Sequence, residues 1–321
     1  MTWLLTHLYR RSIIFWVALA MVISALLIGA YWFMADSMSH PDVQQCLKVL
    51  SAFDPSSQRE GAPRAGGACS PDALSVLDEF RAFESAISAV LIAIPLALGM
   101  FLGAPLIGRE LENGTHRLIW VQSVTPVRWI MARMALGVTF AGVLLLLVSG
   151  ATLPWLALSA VVWQHSPWPG FDMHVTVLLA YGLFAVALGI AAATVSGRTV
   201  VAMAVTVCVW AGVRAAFEII LRPNLIPPLI DKGVTAGTAG TNWFLGVTYI
   251  DSSGHIVSWD RVNALLASGS LQNYGISLAG IVQPADRFWA FQLIESGFYI
   301  VMAAVCAGIA IQWVRLRLAR P

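Results

Sequence analysis

Charge is what this 321-residue chain has least of: 19 basic and 17 acidic side chains, 11% of the total, against 58% hydrophobic residues. So few charges cannot cover a soluble surface, which excludes soluble enzymes, nucleic-acid-binding proteins and disordered regulators. Catalytic and nucleotide-binding motifs are lacking as well. There is no GxxxxGK(S/T) phosphate loop, no HExxH, no GxSxG and no Cys or His cluster at zinc spacing, and the six histidines (7, 40, 116, 165, 174 and 255) are scattered along the chain. An intramembrane enzyme would need a site assembled from distant segments. Cysteine is sparse too, with four residues, and Cys208 and Cys306 fall in apolar runs where a buried thiol acts as a small hydrophobe.

What the chain has in abundance is long apolar runs. A bilayer core of roughly 30 Å needs about 20 helical residues at 1.5 Å each. Residues 12–35, 85–108, 134–171, 173–197 and 296–314 hold no Asp, Glu, Lys or Arg, and 199–221 is interrupted only by Arg214 and Glu218. These windows predict an all-α integral membrane protein, a single domain over 1–321 with six transmembrane helices near 12–35, 85–108, 134–160, 174–197, 199–221 and 290–314. Windows 233–250 and 262–285 are also uncharged, but the first is crowded with Gly and Thr and the second carries Asn263, Gln272, Asn273 and Gln283. Both are left in the loop between spans 5 and 6.

Positively charged loops stay in the cytoplasm. With both termini inside, the cytoplasmic parts hold ten basic residues against Glu110 and Glu112, while everything else holds nine basic and fifteen acidic residues. Counting 262–285 as a seventh span would put Arg315, Arg317 and Arg320 outside. The reading is a multi-pass protein of the cell membrane, both termini cytoplasmic, with external loops 36–83 and 222–289. The first run is too long for a signal-peptide core of 7 to 15 residues, so span 1 is expected to be retained. The first eleven residues, with Trp3, Leu4, Leu5, Leu8 and Tyr9 beside Arg10 and Arg11, fit a short interfacial helix. Cys46 and Cys69 lie in the first external loop, where an oxidising compartment allows a disulfide between them.

The densest polar stretch between spans on the inside runs from Gly108 to Arg133. Glu110 and Glu112 begin it, Gly114 and Thr115 break it, and Thr115 can cap a short helix through His116, Arg117, Leu118, Ile119 and Trp120. Thr125-Pro126 marks a second helix start, continuing into span 3. The pattern Arg-Glu-x-Glu-x-Gly-Thr, then Ser123-Val-Thr-Pro-x-Arg-Trp129 and a basic residue before the next span, resembles the membrane-spanning permease subunit of ATP-binding-cassette (ABC) exporters of the type-2 permease class. The six spans, inside termini and long external segment between spans 5 and 6 agree with that resemblance over essentially the whole chain.

The resemblance implies that this segment is a coupling helix docking into a separately encoded ATPase, with Glu110, Glu112, Gly114, Thr115, Leu118 and Trp120 as contact residues and the two carboxylates facing basic partners. ATP and Mg would be held by that partner, not by this chain. It also implies a second permease copy or paralogue, so that six spans form half of a pathway through the membrane lipid for an apolar or amphipathic small molecule, with no nucleic acid involved. The alternative is a module that couples the ATPase to mechanotransmission or signalling and carries no solute.

Three further expectations concern the spans. In the external segment 222–289, short re-entrant helices at 225–231 and 274–282 compete with a surface loop bearing one amphipathic helix around Trp259 to Leu266. In span 2, Gly99 and Gly103 form a GxxxG face for close helix approach, and Pro95 and Pro105 can kink the helix. In span 5, Met203, Trp210 and Phe217 recur every seven residues with Thr206 between them, a stripe that is either packing and lipid contact or the pathway lining. Isolated charges are costly in a bilayer, so Arg214, Glu218 and Glu295 are expected to pair near the outer end of spans 5 and 6.

Overall fold

The computed structural model describes residues 2–52, 69–116, 125–232, 240–268 and 271–318. Among the described residues, six helices are long and apolar enough to cross a membrane: Ile14–Met38, Pro71–Glu112, Pro126–Val162, Val175–Ser196, Thr199–Asn224 and Ala285–Leu316. Their ends follow local chemistry. Ser70 accepts from the Ala73 amide ahead of Pro71, and Thr125 accepts from the Arg128 amide ahead of Pro126, so spans 2 and 3 start on hydroxyl caps with proline in the first turn. Span 4 stops at Gly197, which takes the left-handed φ of 64° that a helix terminator needs. Helix α1 is continuous over Thr2–Met38, so no break sets off a separate interfacial helix at the N-terminus.

Helix α3 (Pro71–Leu98) passes through a π turn (Gly99–Gly103) into α4 (Ala104–Glu112), and together they make span 2. Pro95 and Pro105 each remove an N–H from the ladder on either side of that turn. Spans 3 and 4 are α5 (Pro126–Val162) and α6 (Val175–Ser196). Span 5 is α7 (Thr199–Ala216), a second π turn (Phe217–Leu221) and a last turn at Arg222–Asn224.

Span 4 is apolar all round, the mark of a helix buried on every side, and it packs against spans 2, 3, 5 and 6. The GxxxG face of span 2 meets this helix. A Cβ on Gly99 would lie 2.5 Å from the Ala185 carbonyl oxygen, and one on Gly103 would lie 2.8 Å from that of Val186. The close approach is therefore made within one chain.

The segment between spans 5 and 6 is folded differently from either expectation for its two windows. It forms a four-stranded antiparallel sheet in the order β1-β4-β2-β3, from β1 (Leu229–Lys232), β2 (Trp243–Ile250), β3 (Ile256–Val257) and β4 (Ser277–Gln283), with α8 (Trp259–Ser268) between β3 and β4. Window 225–231 is thus irregular chain leading into β1, and 274–282 is mostly strand, neither a re-entrant helix, whereas a helix does occupy the Trp259 to Leu266 region. Pro227 and Pro228 stop span 5 from continuing, and aromatic and β-branched residues over 243–250 favour a pleated ribbon. Lack of charge alone does not distinguish a half-helix from a strand. The sheet covers the end of the bundle away from the termini: Trp243 packs on Trp168 and Phe291, and Ser166 donates to the Thr241 carbonyl at 3.1 Å. At the same end, α2 (Pro41–Ala52) is tied to the start of span 2 by the Cys46–Cys69 disulfide. Span 6 is α9 (Phe288–Trp313), followed by a π-helical stretch to Leu318.

Candidate functional site

Polar side chains gather at both ends of the bundle. At the terminal end, α4 carries Glu110 and Glu112 toward its neighbours. Glu110 accepts from Trp129 Nε1 at 3.0 Å and from Arg133 Nη2, both on span 3. Glu112 accepts from the Thr199 amide and hydroxyl, each at 2.8 Å, at the first turn of span 5. A carboxylate there satisfies an amide that a helix start leaves unpaired and sits favourably against the helix dipole. Gly108, one turn earlier, lies so close to Thr199 that a Cβ would come within 2.6 Å of its hydroxyl. The chain reverses at Gly114, φ 68°, and Thr115 and His116 fold back onto the Glu110 carbonyl at 3.3 and 3.1 Å.

The Glu110 and Glu112 carboxylates already accept hydrogen bonds from spans 3 and 5, and Glu112 is exposed with acceptor capacity left. Gly114 and Thr115 form the turn that leads outward from them. Leu118 and Trp120 lie outside the described residues.

At the far end, Arg214, Glu218 and Glu295 come together, with Glu218 3.4 Å and Glu295 3.6 Å from Arg214. The cluster is larger than that trio. Asp172 Oδ1 accepts from Arg214 Nη2 and Arg222 Nη2 at 2.9 Å each and lies 3.0 Å from the Tyr181 hydroxyl, whose single proton goes to Glu295. Glu295 accepts from Arg222 Nε and Nη2, 2.8 Å each, and from Tyr181. Glu295 is fully buried, and Arg214 and Arg222 nearly so. Burial alone would push the Asp172 carboxyl up, but the Arg222 and Arg214 guanidinia outweigh it and hold the group below its usual range.

The π turn explains how Arg222 joins. Eight residues of regular α-helix would leave Arg214 and Arg222 about 80° apart around the axis at roughly 100° per residue. One residue inserted by a π turn takes up about 100° of rotation, bringing both guanidinia to one face within about 20°. Sequence reasoning about ideal helical spacing misses Arg222 for this reason. It also missed Asp172, although a signal was present: Asp172 is the single charged residue across 134–197.

The span 5 stripe is inside the protein. Thr206, Trp210 and Phe217 are buried and Met203 is half-buried, with the Phe217 ring packed on Phe298 and Tyr299 of span 6. Val200, Val201, Val205 and Val209 form the exposed side instead. Thr206, Trp210 and Phe217 are thus covered by packing within the chain, while Met203 is only partly covered. Among the described residues, no cluster of three or more His, Cys, Asp or Glu could hold a metal ion.

Residues 16–222 match the family described as ABC-2 membrane transporter related. No curated protein and no solved structure matches the chain. The family match covers more than half of the chain and ends at Arg222, so it includes both arginines of the far-end cluster and stops short of the sheet.

Proposed function

Since the chain belongs to the ABC-2 membrane transporter related family and is a multi-pass permease of an ABC transporter, we propose that it forms half of an export pathway for an amphipathic or apolar compound, driven by a separate ATPase subunit that binds ATP and Mg. A second permease, identical or paralogous, supplies the other half. The protein lies in the plasma membrane with the terminal end of the bundle in the cytoplasm, as the excess of arginine there requires.

One observation carries this reading. The segment leaving Glu112 is fastened at its root to span 3 through Glu110 and to span 5 through Glu112. A displacement of residues 113–124 by an ATPase is therefore delivered to spans 2, 3 and 5 together. A tilt shared by three spans around the buried span 4 is the kind of two-state motion that coupling requires. Leu118 and Trp120 are the apolar contacts in this scheme.

The test uses the complex of permease and ATPase reconstituted in vesicles. Joint replacement of Leu118 and Trp120 by Ala is expected to leave assembly and ATP hydrolysis in place and to abolish transport. An assembled variant complex that transports at the parental rate removes the coupling assignment. Direction is read from the same vesicles: ATP added outside should drive compound into inside-out vesicles.

A further inference from the structure

Between the sheet and the far ends of spans 2, 3 and 5 lies a cavity of about 580 Å³, within the range of roughly 300–1,000 Å³ usual for small-molecule sites. Its walls are aromatic: Trp163, Trp168, Phe171, Trp243 and Phe244. Three charged side chains reach it, Arg81, Glu218 and Arg222. They differ in what they have left to offer. Glu218 is already drawn to Arg214 at 3.4 Å. Arg222 directs Nε and Nη2 to Glu295, Asp172 and Tyr181, and its Nη1 has no protein acceptor among the described residues. Arg81 is paired with Asp78 at 2.8 Å, yet its side chain is 52% exposed. An exposed pair of that kind holds an arginine weakly. Its guanidinium lies over the Trp163 ring. Trp168 is buried in the same wall and its indole N–H has no acceptor. Two guanidinium groups, Arg81 and Arg222, thus line this void beside one carboxylate, Glu218, that is already drawn to Arg214.

We propose that the cavity is a binding subsite for an organic anion with a flat apolar body, an aromatic sulfonate or carboxylate. The acid group is held by Arg222 Nη1 and Arg81, which make charge-assisted bonds suited to planar oxyanions. The ring lies against Trp163 and Trp243. Because Arg222 also holds Asp172 and Glu295, an anion on Nη1 competes for the guanidinium that ties span 5 to span 6. Occupancy of the cavity is thereby linked to the grip of the far-end cluster. The role of the site as a station in export rests on the permease reading, whereas its ability to bind does not.

The experiment is equilibrium titration of the full-length chain in lipid nanodiscs with 2-naphthalenesulfonate and, separately, with the matching naphthylmethylammonium cation. The sulfonate is expected to bind and the cation to bind at least tenfold more weakly. Arg81→Gln, a change at an exposed position outside the buried cluster, should weaken the sulfonate about tenfold, the value of one lost charge-assisted bond near 1.4 kcal/mol. Asn242→Trp, which fills the void from the sheet side, should abolish binding. Equal affinity for the cation, or sulfonate binding indifferent to both substitutions, overturns the proposal. The two readings fail separately. Sulfonate bound through Arg81 by a chain whose ATPase complex moves no compound leaves the subsite standing and removes the export role. Sulfonate transported at the parental rate by Asn242→Trp does the reverse.

Discussion

The two ends of the bundle solve the same problem, placing charge beside a membrane, in opposite ways. At the terminal end each carboxylate has its own donors: Glu110 takes Trp129 and Arg133, and Glu112 takes Thr199. Glu112 remains exposed. At the far end, Asp172, Arg214, Arg222 and Glu295 share partners, and each of the four is largely covered. The Glu112 contact is a latch open to water and can be released without stranding a charge, whereas Glu110 is covered over Arg133. A shared, dry cluster cannot lose a member without leaving another charge unpaired. In the coupling scheme proposed above, the Glu112 contact passes a displacement to span 5, while the far-end cluster resists one until something replaces a partner.

The largest expected effect follows from that contrast. Arg222→Met removes every hydrogen bond between span 5 and Glu295, leaving that buried carboxylate with Arg214 at 3.6 Å and Tyr181. Breaking a buried pair in this way costs about 3–5 kcal/mol. Thermal unfolding of the purified protein should show a large drop in midpoint. An unchanged midpoint would mean the cluster is wet and its members independent, and the contrast between the two ends would disappear.

The cluster also marks where the sequence was readable. Arg214, Glu218 and Glu295 could be paired from depth along an ideal helix, since the first two lie four apart in one apolar run and Glu295 heads another. Arg222 could not, because its position depends on a π turn that breaks ideal spacing. Six spans, the cap at Thr125 and the close approach of Gly99 and Gly103 all follow from local rules that hold wherever the chain lies. The sheet and the burial of Trp210 and Phe217 depend on what other segments do. A seven-residue stripe specifies a helix face and leaves open what that face meets. Here it meets span 6, as the Phe217 contacts with Phe298 and Tyr299 show.

Between the two ends, the packing of span 2 on span 4 gives the next effect. Gly99→Ala sets a methyl group against the Ala185 carbonyl, 2.5 Å away, with backbone on the opposing side that has no rotamer to change. Forcing the helices apart is expected to cost about 1–3 kcal/mol. Gly142→Ala is the control: nothing lies within 4 Å of a Cβ there, and alanine suits a helix better than glycine, so the midpoint should hold or rise. If the two substitutions behave alike, close contact between spans 2 and 4 does not hold the bundle.

The smallest effect on stability should come from Thr199→Val, and it is the most direct test of the latch idea. The substitution removes the hydroxyl that donates to Glu112 while keeping the residue's shape and its amide bond to the same carboxylate. Because Glu112 is open to water, solvent replaces the lost donor, and the unfolding midpoint should stay near that of the parent. Transport should respond differently. With one of two bonds gone, movement of residues 113–116 is passed less fully to span 5, so transported compound per ATP hydrolysed should fall while hydrolysis itself continues. Glu112→Gln should act in the same direction, and combining the two should add little beyond either alone, because both act on one contact. A double variant whose loss equals the sum of the single losses would place Thr199 and Glu112 on independent routes, and the Glu112 contact would no longer be a latch joining span 2 to span 5.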